Sequence, residues 1–177
     1  HGVWGVHTSR NISHLTLFAA LASNYANDTL VIRDANKVLG RPIQHRFTSE
    51  LMLALGLFEW GELSISLPVF WRQTSNNYTP KSESATGFGD LRLLGKLSIL
   101  RNQKYRGFGL AVLLELSLPT GRKDFFMSQG TASFTPQIIA DYRHRNGFVV
   151  ALNLGYRIRG EEKFLDLVVD DEIRIAL

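Results

Sequence analysis

The chain has 177 residues, 45% of them hydrophobic, with 20 basic and 16 acidic side chains and no cysteine. That length suits one domain rather than two, and the lack of cysteine excludes a disulfide framework and thiolate metal sites. The net charge of +4 is small and spread along the chain rather than gathered into a stripe, so a nucleic-acid partner is not expected.

No run of about 18 uncharged apolar residues is present, which rules out a transmembrane helix. Barrel strands carry a weaker, alternating signal and are not excluded. His1 opens a polar stretch without the charged and apolar regions of a signal peptide, so the chain is expected to start after a processed or missing segment.

From residue 15 onward the apolar period is two. Successive side chains of a strand face opposite ways, so each register can be read against the other. Leu15, Leu17, Ala19, Leu21 and Tyr25 share a face, but Leu30 and Ile32 fall out of phase with them. A bulge near Asn27 or Asp28 reconciles the two halves. Phe47, Leu51, Leu53, Leu55 and Leu57 then oppose Arg46, Thr48, Glu50 and Ala54. Leu63, Ile65, Leu67, Val69 and Trp71 oppose Ser64, Ser66, Phe70 and Arg72. Leu91, Leu93, Leu97 and Ile99 oppose Asp90, Arg92, Lys96 and Ser98.

The pattern continues to the end of the chain. Phe108 to Leu118 carries Gly109, Ala111, Leu113, Glu115 and Ser117 on its second face. Phe134, Ile138, Ala140 and Tyr142 oppose Thr135, Gln137, Asp141 and Arg143. Phe148 to Ile158 opposes Asn153, Arg157 and Arg159, and the stretch from Leu165 to Leu177 opposes Asp166, Asp170, Glu172 and Arg174. Asp171 falls on the apolar face of that last stretch, which calls for a bulge or an interfacial position.

This makes eight strands. A soluble sandwich also alternates, but strands of about 10 to 14 residues are long for one and suit a tilted membrane crossing. Opposite charges in mid-strand, backed by unbroken aliphatic faces, fit a lipid-facing band around a polar interior. The expected fold is an all-β, antiparallel up-and-down transmembrane barrel, with eight strands visible and room in a longer chain for about twelve.

The connections alternate in length. Phe58–Gly61, Arg101–Arg106 and Arg145–Gly147 are short; Asp34–Gly40, Ser75–Thr86 and Thr120–Thr131 are longer, while Gly160–Lys163 forms a tight link on that same side. Barrels of this kind have short periplasmic turns and longer outer loops, which orients the chain. Asn146-Gly147 suits a two-residue hairpin with positive φ at both positions. Trp60, Tyr105, Phe108 and Phe148 fall near the short turns, and Trp71, Tyr78, Phe88 and Phe134 near the other end, as two aromatic girdles.

Arg46, Glu50, Asp90, Arg92, Lys96, Glu115, Asp141, Arg143, Arg157, Arg159, Asp166, Asp170, Glu172 and Arg174 all fall on the polar register. They either line a channel or fill a lumen with mutually satisfied pairs. An eight-stranded barrel favours the second, a wider one the first. No converging catalytic group is visible. The histidines His1, His7, His14, His45 and His144 lack metal-ligand spacing, and His144 reads as a solvated turn residue. No enzyme, cofactor or metal is expected. Gly87-Phe88-Gly89-Asp90 lacks the downstream helix and lysine of a phosphate loop and reads as a strand start where glycines leave room or permit a bend.

Gly87-Phe88-Gly89-Asp90-Leu91-Arg92-Leu93 with Lys96, Ser117-Leu118-Pro119-Thr120-Gly121 and Asn153-Leu154-Gly155-Tyr156-Arg157 carry a resemblance. So do Ala54-Leu55-Gly56-Leu57, Glu62-Leu63 and Leu67-Pro68-Val69. Over residues 14 to 177 the chain resembles proteobacterial outer-membrane barrels of the OmpA family or of the MetA-pathway phenol-degradation transporter type.

The resemblance implies residence in the outer membrane of a Gram-negative cell, among lipid and lipopolysaccharide, and porin-like passage of small solutes through a charged lumen. The alternative it implies is a structural barrel that anchors a periplasmic, peptidoglycan-binding domain or docks a partner in an envelope complex. Residues 1–177 are expected to form one barrel domain that continues beyond Leu177.

Overall fold

The computed structural model describes residues 6–34, 37–76, 84–100, 107–123, 126–160, 162–164, 167–169 and 171–177. Among them no α-helix forms, and no helix is long and apolar enough to cross a membrane. Eleven strands follow in order: β1 (Leu17–Asp34), β2 (Lys37–Leu57), β3 (Gly61–Asn76), β4 (Ser84–Phe88), β5 (Leu91–Leu100) and β6 (Gly107–Leu118). After them come β7 (Ser133–Arg143), β8 (Val149–Arg159), β9 (Glu162–Phe164), β10 (Leu167–Val169) and β11 (Glu172–Ala176).

Nine strands make one antiparallel sheet, whose path runs β1-β2-β3-β5-β6-β7-β8-β11, with β4 beside β3. Neighbours in sequence are neighbours in space, which is the up-and-down meander that the alternation predicts. The sheet curls into a half-barrel, consistent with an up-and-down barrel. β4 and β5 behave as one strand broken at Gly89-Asp90, since both pair with β3. Strands such as β6, with 12 residues, span about 40 Å of chain and about 28 Å when tilted near 45°.

The two faces separate sharply. β7 alternates buried residues with exposed ones from Ser133 to Tyr142, apart from the half-buried Pro136, and the outward register is apolar: Leu114 is 43% and Ile138 56% exposed. Trp60, Trp71, Phe88, Phe108, Phe134 and Phe148 are exposed on that outer face near strand ends. Tyr78 and Tyr105 lie outside the described residues. Gly95 leaves a dent in the outer wall, a groove of about 510 Å³ among Leu17, Leu53, Leu63, Leu93 and Leu114.

Ser49 sits on this apolar face without strain. Its hydroxyl accepts from Trp71 Nε1 at 2.9 Å and shares a 2.8 Å hydrogen bond with Ser23 on the neighbouring strand.

Several local expectations are met. The register of β1 against β2 shifts between Asn27 and Leu30, where the phase of the apolar residues changes. A Cβ on Gly89 would lie 2.9 Å from the Phe70 ring, so that glycine leaves room at the strand break. His144 is exposed, with Nδ1 2.8 Å from Asn146 Oδ1.

Others need correction. The turn after β7 has three residues rather than two: His144 N–H donates to Phe148 O, and only Gly147 has positive φ, at 93°. A three-residue loop needs one left-handed position, and glycine supplies it. Arg72 is exposed rather than inward, because a register shift between Phe47 and Thr48 passes the inner face to Gln73.

The single strand expected over Leu165–Leu177 is divided. β10 pairs with β9 in a separate hairpin, and only β11 joins the sheet. That hairpin begins at Glu162, so it overlaps the tight link expected at Gly160–Lys163 and runs on to Val169. Asp171 precedes β11 and accepts from Tyr156 Oη at 2.8 Å and Arg159 N at 3.1 Å, so its place on the apolar register is a strand-end position. Those two donors hold its carboxyl below the usual range.

Candidate functional site: the inner face of the sheet

The inner face divides into three levels, one at the short-turn end, one at the long-loop end and a charged belt between them. At the turn end a backbone segment, residues 7–12, lies across the inner face. Asn153 clasps His7, accepting from its N–H at 2.7 Å and donating to its carbonyl at 2.9 Å. Asp141 accepts from Ser9 N at 2.8 Å, and Glu62 from Ile12 N at 3.1 Å. Lys96 Nζ donates to Arg10 O at 2.7 Å, and Ser98 Oγ donates to Ser9 O.

A segment without a strand partner must satisfy its backbone polar groups elsewhere; here side chains of β3, β5, β7 and β8 do so. Lys96 and Glu62 also pair with each other at 3.3 Å.

Two glycines make the seat. A Cβ on Gly109 would lie 1.9 Å from Ser9 Oγ, and one on Gly56 would lie 2.1 Å from Ser13 O. His7 is held neutral: burial, then Lys96, lowers its pKa from 6.5 to about 4. This strap is the feature that sequence reading missed. Its only signals are two glycines on otherwise filled inner registers and polar residues gathered at one end of four strands.

At the loop end the connection after β6 folds inward. Asp90 accepts from Gly121 N at 3.1 Å and Gln129 N at 2.7 Å. Thr120 Oγ1 accepts from Leu91 N at 2.9 Å and donates to Gly89 O at 3.1 Å. Arg46 donates to Phe126 O at 3.0 Å and to Gln73 Oε1 at 2.9 Å, with its guanidinium 5.0 Å over the Phe70 ring. Met127 packs with Phe70 and Ala85 below. A Cβ on Gly121 would press on the backbone of Gly89 at 2.9 Å. The two motifs around Gly89 and Gly121 are therefore two halves of one loop clasp.

Between the strap and the loop lies the charged belt. Arg92 pairs with Glu50 at 2.7 Å, and Ser66 Oγ also donates to Glu50. Across the sheet Glu115 lies 4.0 Å from Arg157 and 3.5 Å from Arg174. Glu172 lies 2.8 Å from Arg157 and 3.4 Å from Arg159.

The polar-register residues thus fall into three groups. Lys96 and Asp141 hold the strap and Arg46 and Asp90 hold the loop, while Glu50, Arg92, Glu115, Arg157, Arg159, Glu172 and Arg174 form the belt. Arg143 stands apart near the turn end, in register with Gly107 and Val149, and its Nε has no hydrogen-bond partner among the described residues. Asp166 and Asp170 lie outside the described residues. Among those described, no group of three His, Asp or Glu could hold a metal ion.

Mixed charges in pairs give a polar interior without a strong preference for either sign. No curated protein and no solved structure matches the chain. The family described as "Putative MetA-pathway of phenol degradation" matches residues 37–172, about three quarters of the length. That stretch holds the loop clasp, the charged belt apart from Arg174, and every strand of the sheet except β1 and all but the first residue of β11. The chain belongs to this MetA-pathway phenol-degradation family.

Proposed function

We propose that the protein is an outer-membrane β-barrel through which small solutes pass passively, along a lumen bounded by the strap and the inward loop. The observation that carries this reading is the division of faces: exposed aliphatic and aromatic residues outside, paired charges inside. Lipid satisfies the first face, and water and solutes the second. The strand length suits a bilayer of about 30 Å. Arg92, Glu115, Arg143 and Arg157 are the interior contacts a solute would meet, while Lys96 is taken up by the strap and Glu62. The family's description adds small phenolic compounds as the solutes to try first.

The test is conductance of the full-length protein in a planar bilayer. Discrete, salt-dependent steps support passage; an intact barrel that passes no current overturns it. The strap and the inward loop favour a second reading, a filled structural barrel that anchors a periplasmic domain or docks a partner. A silent bilayer together with co-purification of peptidoglycan or an envelope protein would favour that reading.

A further inference from the structure

We propose that residues 7–12 are a gate at the turn-end mouth of the lumen: a strap that swings on the turn at residues 13–16 between its seated position and a released one that opens the way in. As a gate it rests on the passage reading above; as a moving part it does not.

The strap is a bar across the sheet. Its side-chain partners, taken from His7 to Ile12, stand on β8, β7, β5 and β3 in turn. With β6 among them these strands are consecutive in the sheet, so the strap crosses four gaps of about 4.8 Å each in five residue steps of about 3.4 Å. Covering that width takes nearly full extension, transverse to the strands. Seated there, the strap takes up space at the mouth that a solute would use.

The seat is of a kind that releases. His7-Thr8-Ser9-Arg10-Asn11-Ile12 has one apolar residue, so leaving the wall exposes little apolar surface of the strap itself. The bonds that seat it run to its backbone, and water replaces such bonds at small net cost. Lys96 and Glu62, paired at 3.3 Å, keep each other when the strap leaves, so neither charge is stranded.

The seated state also carries costs. Ser9 Oγ and both ends of the Asn11 amide are buried with no hydrogen-bond partner among the described residues, and release gives them to water. Leu15, in the turn, has a φ of 54° without being glycine, a strained conformation that gathers at moving parts.

The pivot itself is fixed. Leu15 N donates to Gly56 O at 2.9 Å, and Gly56 N to Thr16 O at 3.1 Å. His14 accepts from Phe58 N at 2.8 Å and stacks on its ring, which stacks in turn on Trp60. A firm, strained turn beside a seat of polar bonds makes a hinged element with two positions.

The test uses cysteines placed in the full-length protein, which has none of its own. Asn11, whose amide is buried in the seated strap, and Thr135, 0% exposed toward the other end of β7, are replaced singly and treated with a polar maleimide. Asn11→Cys should react at least about tenfold faster than Thr135→Cys, because a swing exposes the first and only opening of the sheet exposes the second. Equal rates overturn the proposal. The Cβ of Ser9 lies 2.9 Å from where a Cβ on Gly109 would be, within about 1 Å of disulfide spacing. Ser9→Cys with Gly109→Cys therefore locks the strap when oxidised and, by crowding, frees it when reduced. Conductance in a planar bilayer should rise at least about threefold on reduction. Equal conductance in both states overturns the gate and leaves passage standing. Silence in both overturns passage, and the maleimide rates then decide whether the strap moves. If the paired variant loses the fast electrophoretic mobility of a folded barrel, those rates decide alone.

Discussion

Single residues decide how the inner face is occupied at the turn end. Gly109 leaves no room for a side chain, since its Cβ would meet Ser9 Oγ at 1.9 Å. Gly109→Val should therefore unseat residues 7–12 while leaving the ladder of β6 with β7 in place. Limited trypsin digestion checks this: cleavage after Arg10 should be slow in the native chain and fast in the variant. Equal rates would mean that the strap is not held as described.

His7 makes the seat sensitive to acid. Its pKa is about 4 when seated, lowered by burial and then by Lys96, with Arg174 adding to the effect and Glu62 opposing it; when released it returns to about 6.5. A depressed pKa stabilises the seated form above about 6.5, and that contribution is lost as pH falls toward 4. Hydrogen exchange over residues 6–13, corrected for intrinsic rates, should be faster at pH 5 than at pH 7. Unchanged protection would contradict it.

At the scale of elements, the loop after β6 depends on one carboxylate. Asp90 holds Gly121 and Gln129 by their backbone N–H groups. Asp90→Ala leaves both without an acceptor and should cost about 2–3 kcal/mol. It is measured as a lower denaturant midpoint with faster exchange at residues 119–131. A variant with native stability and protection would show that Thr120 and Arg46 suffice.

The legibility of these elements in the sequence follows the same physics. Alternation is a local signal, so the strands, their faces and the bulge after Asn27 could be read from it. Irregularities that depend on a partner strand could not. The shift that turns Arg72 outward is visible only in the pairing of β2 with β3, and the break before β11 only in the pairing of β9 with β10. The polar register marked the inner charges, but the strap and loop that engage many of them are held by side chain to backbone bonds, which leave no periodic trace.

At the scale of the whole molecule, the apolar exterior is the fact that needs a solvent. Ile138, Leu114, Leu154, Ile173 and Ile175 are all between 43% and 75% exposed, and they form one continuous wall along the sheet path from β6 to β11. Monomeric soluble proteins rarely expose apolar patches larger than a few hundred Å². Lipid would cover the wall and leave the charged belt to water. With no cysteine in the chain, single cysteines placed one at a time from Ser133 to Arg143 report on this directly. Each carries a fluorophore, in proteoliposomes that contain a lipid-borne quencher. The account predicts quenching with a period of two, strong at Phe134, Ile138 and Ala140 and weak at Thr135, Gln137 and Ile139. Uniform quenching along β7, or none at Ile138, would contradict a lipid-facing exterior.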